Sequence, residues 1–116
     1  MSSPNPNQDT TSQSSTPLKS TLADDPDMAE LVEFFVEEMS DRIESIQTAS
    51  QENDFAQLRT LSHQLKGAAT GYGFEPITQT AAELETLIDA TQPTEQTDDL
   101  RQQVDALIDL CRRVSA

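Results

Sequence analysis

The chain has 116 residues, enough for one small domain, and only 4% of them are aromatic. Its 21 acidic and 7 basic residues give a formal net charge of −14, which repels phosphate backbones and anionic lipids and so argues against nucleic acid and membranes as partners. The single cysteine and single histidine exclude an internal disulfide and a usual zinc site, and the lack of a long apolar run or a signal peptide predicts a cytoplasmic location.

The N-terminal stretch differs in composition from the rest of the chain. Residues 1–24 are rich in Ser, Thr, Pro, Asn and Gln and hold almost no apolar side chains. Such a segment cannot offset the entropy lost on ordering, so the sequence predicts a disordered tail. The remaining residues, 25–116, are predicted to form the single folded domain.

A first long helix is predicted over residues 27–51, after an acidic cap and an early proline at Asp25 and Pro26. Acidic residues line its outer side. Leu31 and Phe34 lie outside the apolar stripe and leave two interpretations open. They pack beneath a loop or the N-terminal segment, or they form an exposed apolar site where a partner docks. The stripe itself recurs at helical spacing: Met28, Val32, Phe35, Val36, Met39, Ile43 and Ile46.

A second helix is predicted over residues 55–71, with Asn53 or Asp54 as its cap and a glycine-rich end. His63 projects about 160° away from the centre of its apolar stripe, so it should face solvent. Four residues share that outer face with the histidine: Arg59, Lys66, Gly67 and Thr70. The apolar stripe on the opposite side is about 100° wide: Phe55, Leu58, Leu61, Leu65, Ala69 and Tyr72.

An exposed neutral imidazole flanked by cations suits phosphoryl chemistry. His63 would be the nucleophile, and Arg59 and Lys66 could pair with phosphoryl oxygens. Gly67 costs the helix roughly 1 kcal/mol relative to alanine, which indicates that something bulky approaches there. Alternatives remain for each neighbour: Lys66 as a solvated lysine, Gly67 as a close helix contact, and Arg59 as a surface cation paired with an acid.

Two further helices complete the predicted fold. The third begins at Glu75-Pro76, and its outer face offers Gln79, Glu83 and Glu85 but no basic residue. The last helix, over residues 95–114, carries Cys111 in its apolar stripe, which predicts ordinary core packing. Four amphipathic helices with short connections predict an all-α, antiparallel four-helix bundle, and no strand pattern is seen.

The segment His63-Gln64-Leu65-Lys66-Gly67-Ala68-Ala69, followed by Gly73 and by Leu84-Glu85, resembles the signature of histidine phosphotransfer (HPt) domains. The resemblance covers residues 27–114 and implies a four-helix bundle with an exposed histidine midway along one helix. It implies that His63 accepts the phosphoryl group, that Lys66 steadies it, and that Gly67 leaves it room. Gly73 would allow the turn that ends the helix.

The resemblance also implies a function in phosphorelay signal transduction. His63 would accept a phosphoryl group from a receiver-domain aspartate and pass it to another receiver, in a response regulator or a hybrid histidine kinase. We expect a monomeric, stand-alone phosphocarrier without autokinase activity, because no glycine-rich phosphate loop is present. No cofactor or metal is expected on this chain, and Mg²⁺ would be bound by the receiver.

Two alternatives stay open. The chain could be an acidic helical adaptor that binds a signalling partner while its histidine stays idle. It could also be phosphorylated directly by the ATP domain of a histidine kinase. Metal-dependent hydrolysis is disfavoured because the carboxylates are predicted to lie on solvated outer faces.

Overall fold

The computed structural model describes residues 17–115. Consecutive helices pack against one another and the last closes on the first, so the short connections make neighbouring helices antiparallel. The predicted all-α four-helix bundle is confirmed. Its elements are β1 (Leu18–Lys19), α1 (Ala29–Gln51), α2 (Phe55–Tyr72), α3 (Glu75–Thr91), α4 (Asp98–Arg113) and β2 (Val114–Ser115).

The core is built from the apolar stripes of all four helices. Phe35 of α1 lies at one end of it, with ring centroids 5.2 Å from both Phe74 and Tyr72. Cys111 is buried in α4, as its place in the apolar stripe predicted. The largest fully buried apolar side chains are Phe35, Phe74, Ile46, Leu58, Leu65, Ile77, Leu84, Leu100, Leu107 and Val32.

Helix starts are set by capping groups. The Asp54 carboxylate accepts the Gln57 N–H at 3.2 Å, so α2 begins where its predicted cap placed it. The first helix begins at Ala29, two residues later than predicted, because the Asp25 side chain accepts the Asp27 N–H and closes a turn instead. The last begins at Asp98 and not at residue 95, because the Thr97 hydroxyl caps it.

A strand pair is present, although the sequence showed no strand pattern. Leu18 lies opposite Val114 and Lys19 opposite Ser115 in a parallel pair of two-residue strands. Two residues are too few to show the alternation that identifies a strand in sequence.

Residues 17–24 fall inside the predicted tail, yet several of them contact the bundle. Ser20 is buried and its hydroxyl donates to the Tyr72 carbonyl, while the Thr21 N–H donates to the Gly73 carbonyl at 2.9 Å. Contacts with the bundle are therefore made by residues that precede residue 25, where the folded domain is predicted to begin. The rest of that tail, residues 1–16, lies outside the described residues. Within residues 17–115, no helix is both long and apolar enough to cross a membrane.

Candidate functional site

His63 lies midway along α2 on the side turned away from the core. Leu58, Leu65 and Ala69 of the same helix are buried, which fixes the rotation of α2 about its axis. That rotation leaves the His63 side chain 62% exposed. The outward position expected from the spacing of apolar residues is what the structure shows.

The neighbouring helix α3 brings a carboxylate to the histidine. Glu85 Oε2 lies 3.1 Å from His63 Nδ1, and Glu85 Oε1 accepts a hydrogen bond from Lys66 Nζ at 2.8 Å. Among residues 17–115, Glu85 is the one charged residue that is buried. The sequence interpretation that placed Glu85 on the outer face of this helix was wrong, because the residue beside buried Leu84 faces α2 and not solvent.

Glu85 is ionised in this setting. The hydrogen bond from Lys66 holds the pKa of the Glu85 carboxyl below its ordinary value, and the contact with His63 acts in the same direction, against the opposing effect of burial. A carboxylate can only accept hydrogen bonds, so the contact with His63 requires a proton on Nδ1. In a neutral imidazole the free lone pair is then on Nε2, the nitrogen that does not contact Glu85.

Arg59 is engaged by acids of α3. Its Nε and Nη2 atoms lie 2.5 and 3.0 Å from the two carboxylate oxygens of Asp89, and Nη2 is also 3.2 Å from Glu85 Oε2. The hydrogen bond from Arg59 lowers the pKa of Asp89. Arg59 was interpreted either as a partner for phosphoryl oxygens or as a surface cation paired with an acid. The structure shows the pairing with an acid, although the guanidinium remains close to the histidine.

Gly67 is exposed, and a Cβ atom built there would meet nothing within 4 Å. A close helix contact therefore does not explain this glycine. Gly67 lies one turn after His63, and Cβ positions one turn apart on a helix are about 5–6 Å from each other. The missing side chain therefore leaves open space beside the imidazole. The space fits the predicted need for room around a phosphoryl group.

The two other supporting residues lie further along α2. The Thr70 hydroxyl donates to the Lys66 carbonyl at 2.8 Å and lies 3.1 Å from the Thr78 hydroxyl of α3, so it is engaged away from His63. Gly73 ends α2 with φ of +81°, in the left-handed region that favours glycine. It makes the turn that returns α3 alongside α2 and so brings Glu85 to His63.

Leu31 and Phe34 are 45% and 56% exposed. Neither packs beneath a loop in the part of the chain that the structure describes, so the exposed interpretation is the one observed. The adjacent Phe35 contacts Tyr72, which follows His63 by nine residues of α2, or about 13 Å along the axis. Leu31 and Phe34 are therefore on the part of α1 that lies near the C-terminal end of α2, the helix that carries His63.

Sequence reasoning missed the parts played by Glu85 and Asp89. A signal was available, because both pairs Arg59/His63 and Glu85/Asp89 have the four-residue spacing of neighbours on one helix face. Two such faces of opposite charge on consecutive antiparallel helices can pair with each other. Within residues 17–115, no group of His, Cys, Asp or Glu side chains could hold a metal ion.

Comparison with protein families identifies this arrangement. Residues 30–116, three-quarters of the chain, match the model of the Hpt domain. The chain belongs to the Hpt domain family. Hpt domains are phosphocarriers, act in histidine phosphotransfer within phosphorelays, and interact with receiver domains. Comparisons with curated proteins and with solved structures give no significant match.

Proposed function

We propose that His63 of this Hpt domain accepts a phosphoryl group from the aspartyl phosphate of one receiver domain and passes it to the aspartate of another. The observation that carries the proposal is the contact between His63 Nδ1 and the buried Glu85 carboxylate at 3.1 Å. It orients an otherwise exposed ring and leaves Nε2 unprotonated, which is what a nucleophile requires.

The transfer is an in-line displacement at phosphorus. The lone pair of His63 Nε2 forms the P–N bond while the P–O bond of the aspartyl phosphate breaks, and the aspartate leaves with that electron pair as a carboxylate. The imidazole becomes positively charged during attack and keeps its proton on Nδ1. Glu85 stabilises that charge across the hydrogen bond. Reversal of the same step delivers the group to the second receiver, and Mg²⁺ is supplied by the receiver.

Lys66 stabilises negative charge on the transferred group. Its ammonium group has three N–H donors, of which the contact with Glu85 uses one. Its side chain is about one-third exposed, so the remaining donors can turn to phosphoryl oxygens. Gly67 keeps that approach free of side-chain atoms.

Leu31 and Phe34 provide a docking site for the receiver. Aromatic side chains are enriched at protein interfaces, where the fully buried core of the contact is apolar. Among the described residues these two are the exposed large hydrophobics. We further propose that the domain acts as a cytoplasmic monomer. We also propose that it has no autokinase activity, since its sequence carries no glycine-rich phosphate loop.

The test is phosphoryl transfer from a panel of phosphorylated receiver domains to the parent chain and to His63→Gln. We expect acid-labile, base-stable label on the parent and none on the variant. Circular dichroism and a thermal melt would check that the variant is folded. Tight binding to a receiver without any label on the parent would contradict the proposal and favour an adaptor. Label that appears only with a histidine kinase and ATP would instead indicate direct phosphorylation by the kinase.

A further inference from the structure

The two cations beside His63 are each matched by an acid of α3. Lys66 is paired with Glu85 and Arg59 with Asp89. Two positive and two negative charges therefore surround a histidine that carries no charge when it is ready to attack. The cluster is electrically balanced before phosphorylation and carries excess negative charge afterwards. The transferred group carries about two negative charges, and the ring that keeps its Nδ1 proton offsets only one of them.

Arg59 is close enough to respond to that change. Its Nη2 atom and His63 Nδ1 contact the same carboxylate oxygen of Glu85, at 3.2 and 3.1 Å. It also precedes His63 by one helical turn on the same face of α2. A guanidinium binds phosphate through two parallel N–H donors, and Asp89 already occupies one such pair, the Nε and Nη2 donors of Arg59.

We propose that the ion pair with Asp89 keeps Arg59 from binding the phosphoryl group and thereby lowers the stability of phosphorylated His63. This inference rests on the proposed function. Onward transfer breaks the P–N bond as the P–O bond to the receiver aspartate forms, and the imidazole leaves with the electron pair on Nε2 and its proton on Nδ1. If Arg59 bound the phosphoryl oxygens, it would stabilise phosphorylated His63 and so disfavour onward transfer. Asp89 competes with the phosphoryl oxygens for the same Arg59 donors. It therefore shifts the equilibrium of phosphoryl transfer towards the receiver aspartate.

The size of the effect is limited by solvent. The side chains of Arg59 and Asp89 are 43% and 51% exposed, and exposed ion pairs contribute little because water and salt screen them. We therefore expect removal of Asp89 to raise the equilibrium constant for transfer onto His63 by about two- to fivefold. The effect should fall as ionic strength rises.

The experiment measures the equilibrium distribution of label between one phosphorylated receiver and the full chain. The variants are Asp89→Asn, Arg59→Gln and the double variant, with Asp105→Asn on α4 as an equal change of charge at an exposed position away from the site. The inference expects more label on His63 in Asp89→Asn, the parental distribution in Asp105→Asn, and loss of the gain in the double variant.

Three results would overturn the inference. One is an Asp89→Asn variant that folds and shows the parental distribution. Another is a double variant that keeps the full gain, because the effect would then be general charge removal and not release of Arg59. The third is an equal gain in Asp105→Asn. A parent chain that takes no label at His63 would refute the proposed function itself, whereas a labelled parent with any of these three outcomes refutes only the restraint by Asp89.

Discussion

Gly67→Ala should have opposite effects on stability and function: it should stabilise helix α2 and slow phosphoryl transfer. A Cβ atom at this position would meet nothing within 4 Å, so the substitution introduces no clash in the unphosphorylated protein. Alanine in a helix is favoured over glycine by about 0.5–1 kcal/mol. The free energy of unfolding should rise by that amount, which corresponds to an increase of about 2–8 °C in Tm for a domain of this size.

Phosphoryl transfer should decline in the same variant. The new methyl group projects into the space one turn after His63, where we place the phosphoryl group and the approaching receiver. Displacement of reacting groups by about 1 Å can cost up to a hundredfold in rate, so we expect a loss of about tenfold or more. The assay is the rate of label transfer from a phosphorylated receiver, measured beside urea unfolding of the same preparation.

Gly71→Ala is the matched control. Gly71 is in the same helix, is exposed, and also has nothing within 4 Å of a built Cβ, but it lies eight residues from His63, or about 12 Å along the axis. It should gain similar stability and keep the parental transfer rate. A destabilised Gly67→Ala, or equal transfer rates in both variants, would refute the argument that Gly67 serves the incoming group and not the fold.

Three other outcomes follow from the structure. Gly73→Ala should lower the free energy of unfolding by about 2–3 kcal/mol, because a Cβ at its φ of +81° would lie 2.6 Å from Ser20 Oγ; urea unfolding checks this, and a loss under about 0.5 kcal/mol would contradict it. Burial raises the pKa of the Cys111 thiol to about 12, so Ellman's reagent should label it at about pH 8 only after denaturation, and rapid labelling of the native chain would refute that. Glu85→Gln should be less stable than the parent at neutral pH. Since the Glu85 pKa is lowered from 4.5, the parent's advantage should be complete above that value and disappear as the pH falls through the lowered pKa; an advantage that persists in acid would contradict this assignment.

Much of the site could be predicted because helical spacing is a local property. The apolar residues of α2 recur at intervals of three and four, and this alone determines that His63 faces away from the core. The same reasoning placed Arg59, Lys66 and Gly67 beside it, and the cap at Asp54 gave the helix its start. The sequence could not show which side of α3 meets α2, and so Glu85 was assigned to solvent.

Pairing between distant segments was also invisible in the sequence. The contacts of Ser20 and Thr21 with the end of α2 join residues 52 apart in the chain, and the strand pair joins the two ends of the domain. Neither leaves a periodic pattern, because each involves only one or two residues. Composition alone therefore assigned residues 17–24 to a tail.

The sequence by itself determined four amphipathic helices, their approximate limits and an outward-facing histidine, because periodicity and capping act within a few residues. Only the tertiary structure decided which charges meet. The turn at Gly73 sets α3 beside α2 and so places the Glu85 carboxylate against His63 and Lys66, with Asp89 against Arg59. The orientation of the imidazole and the charge balance around it depend on that packing, since ion pairs between helices require the relative rotation of both.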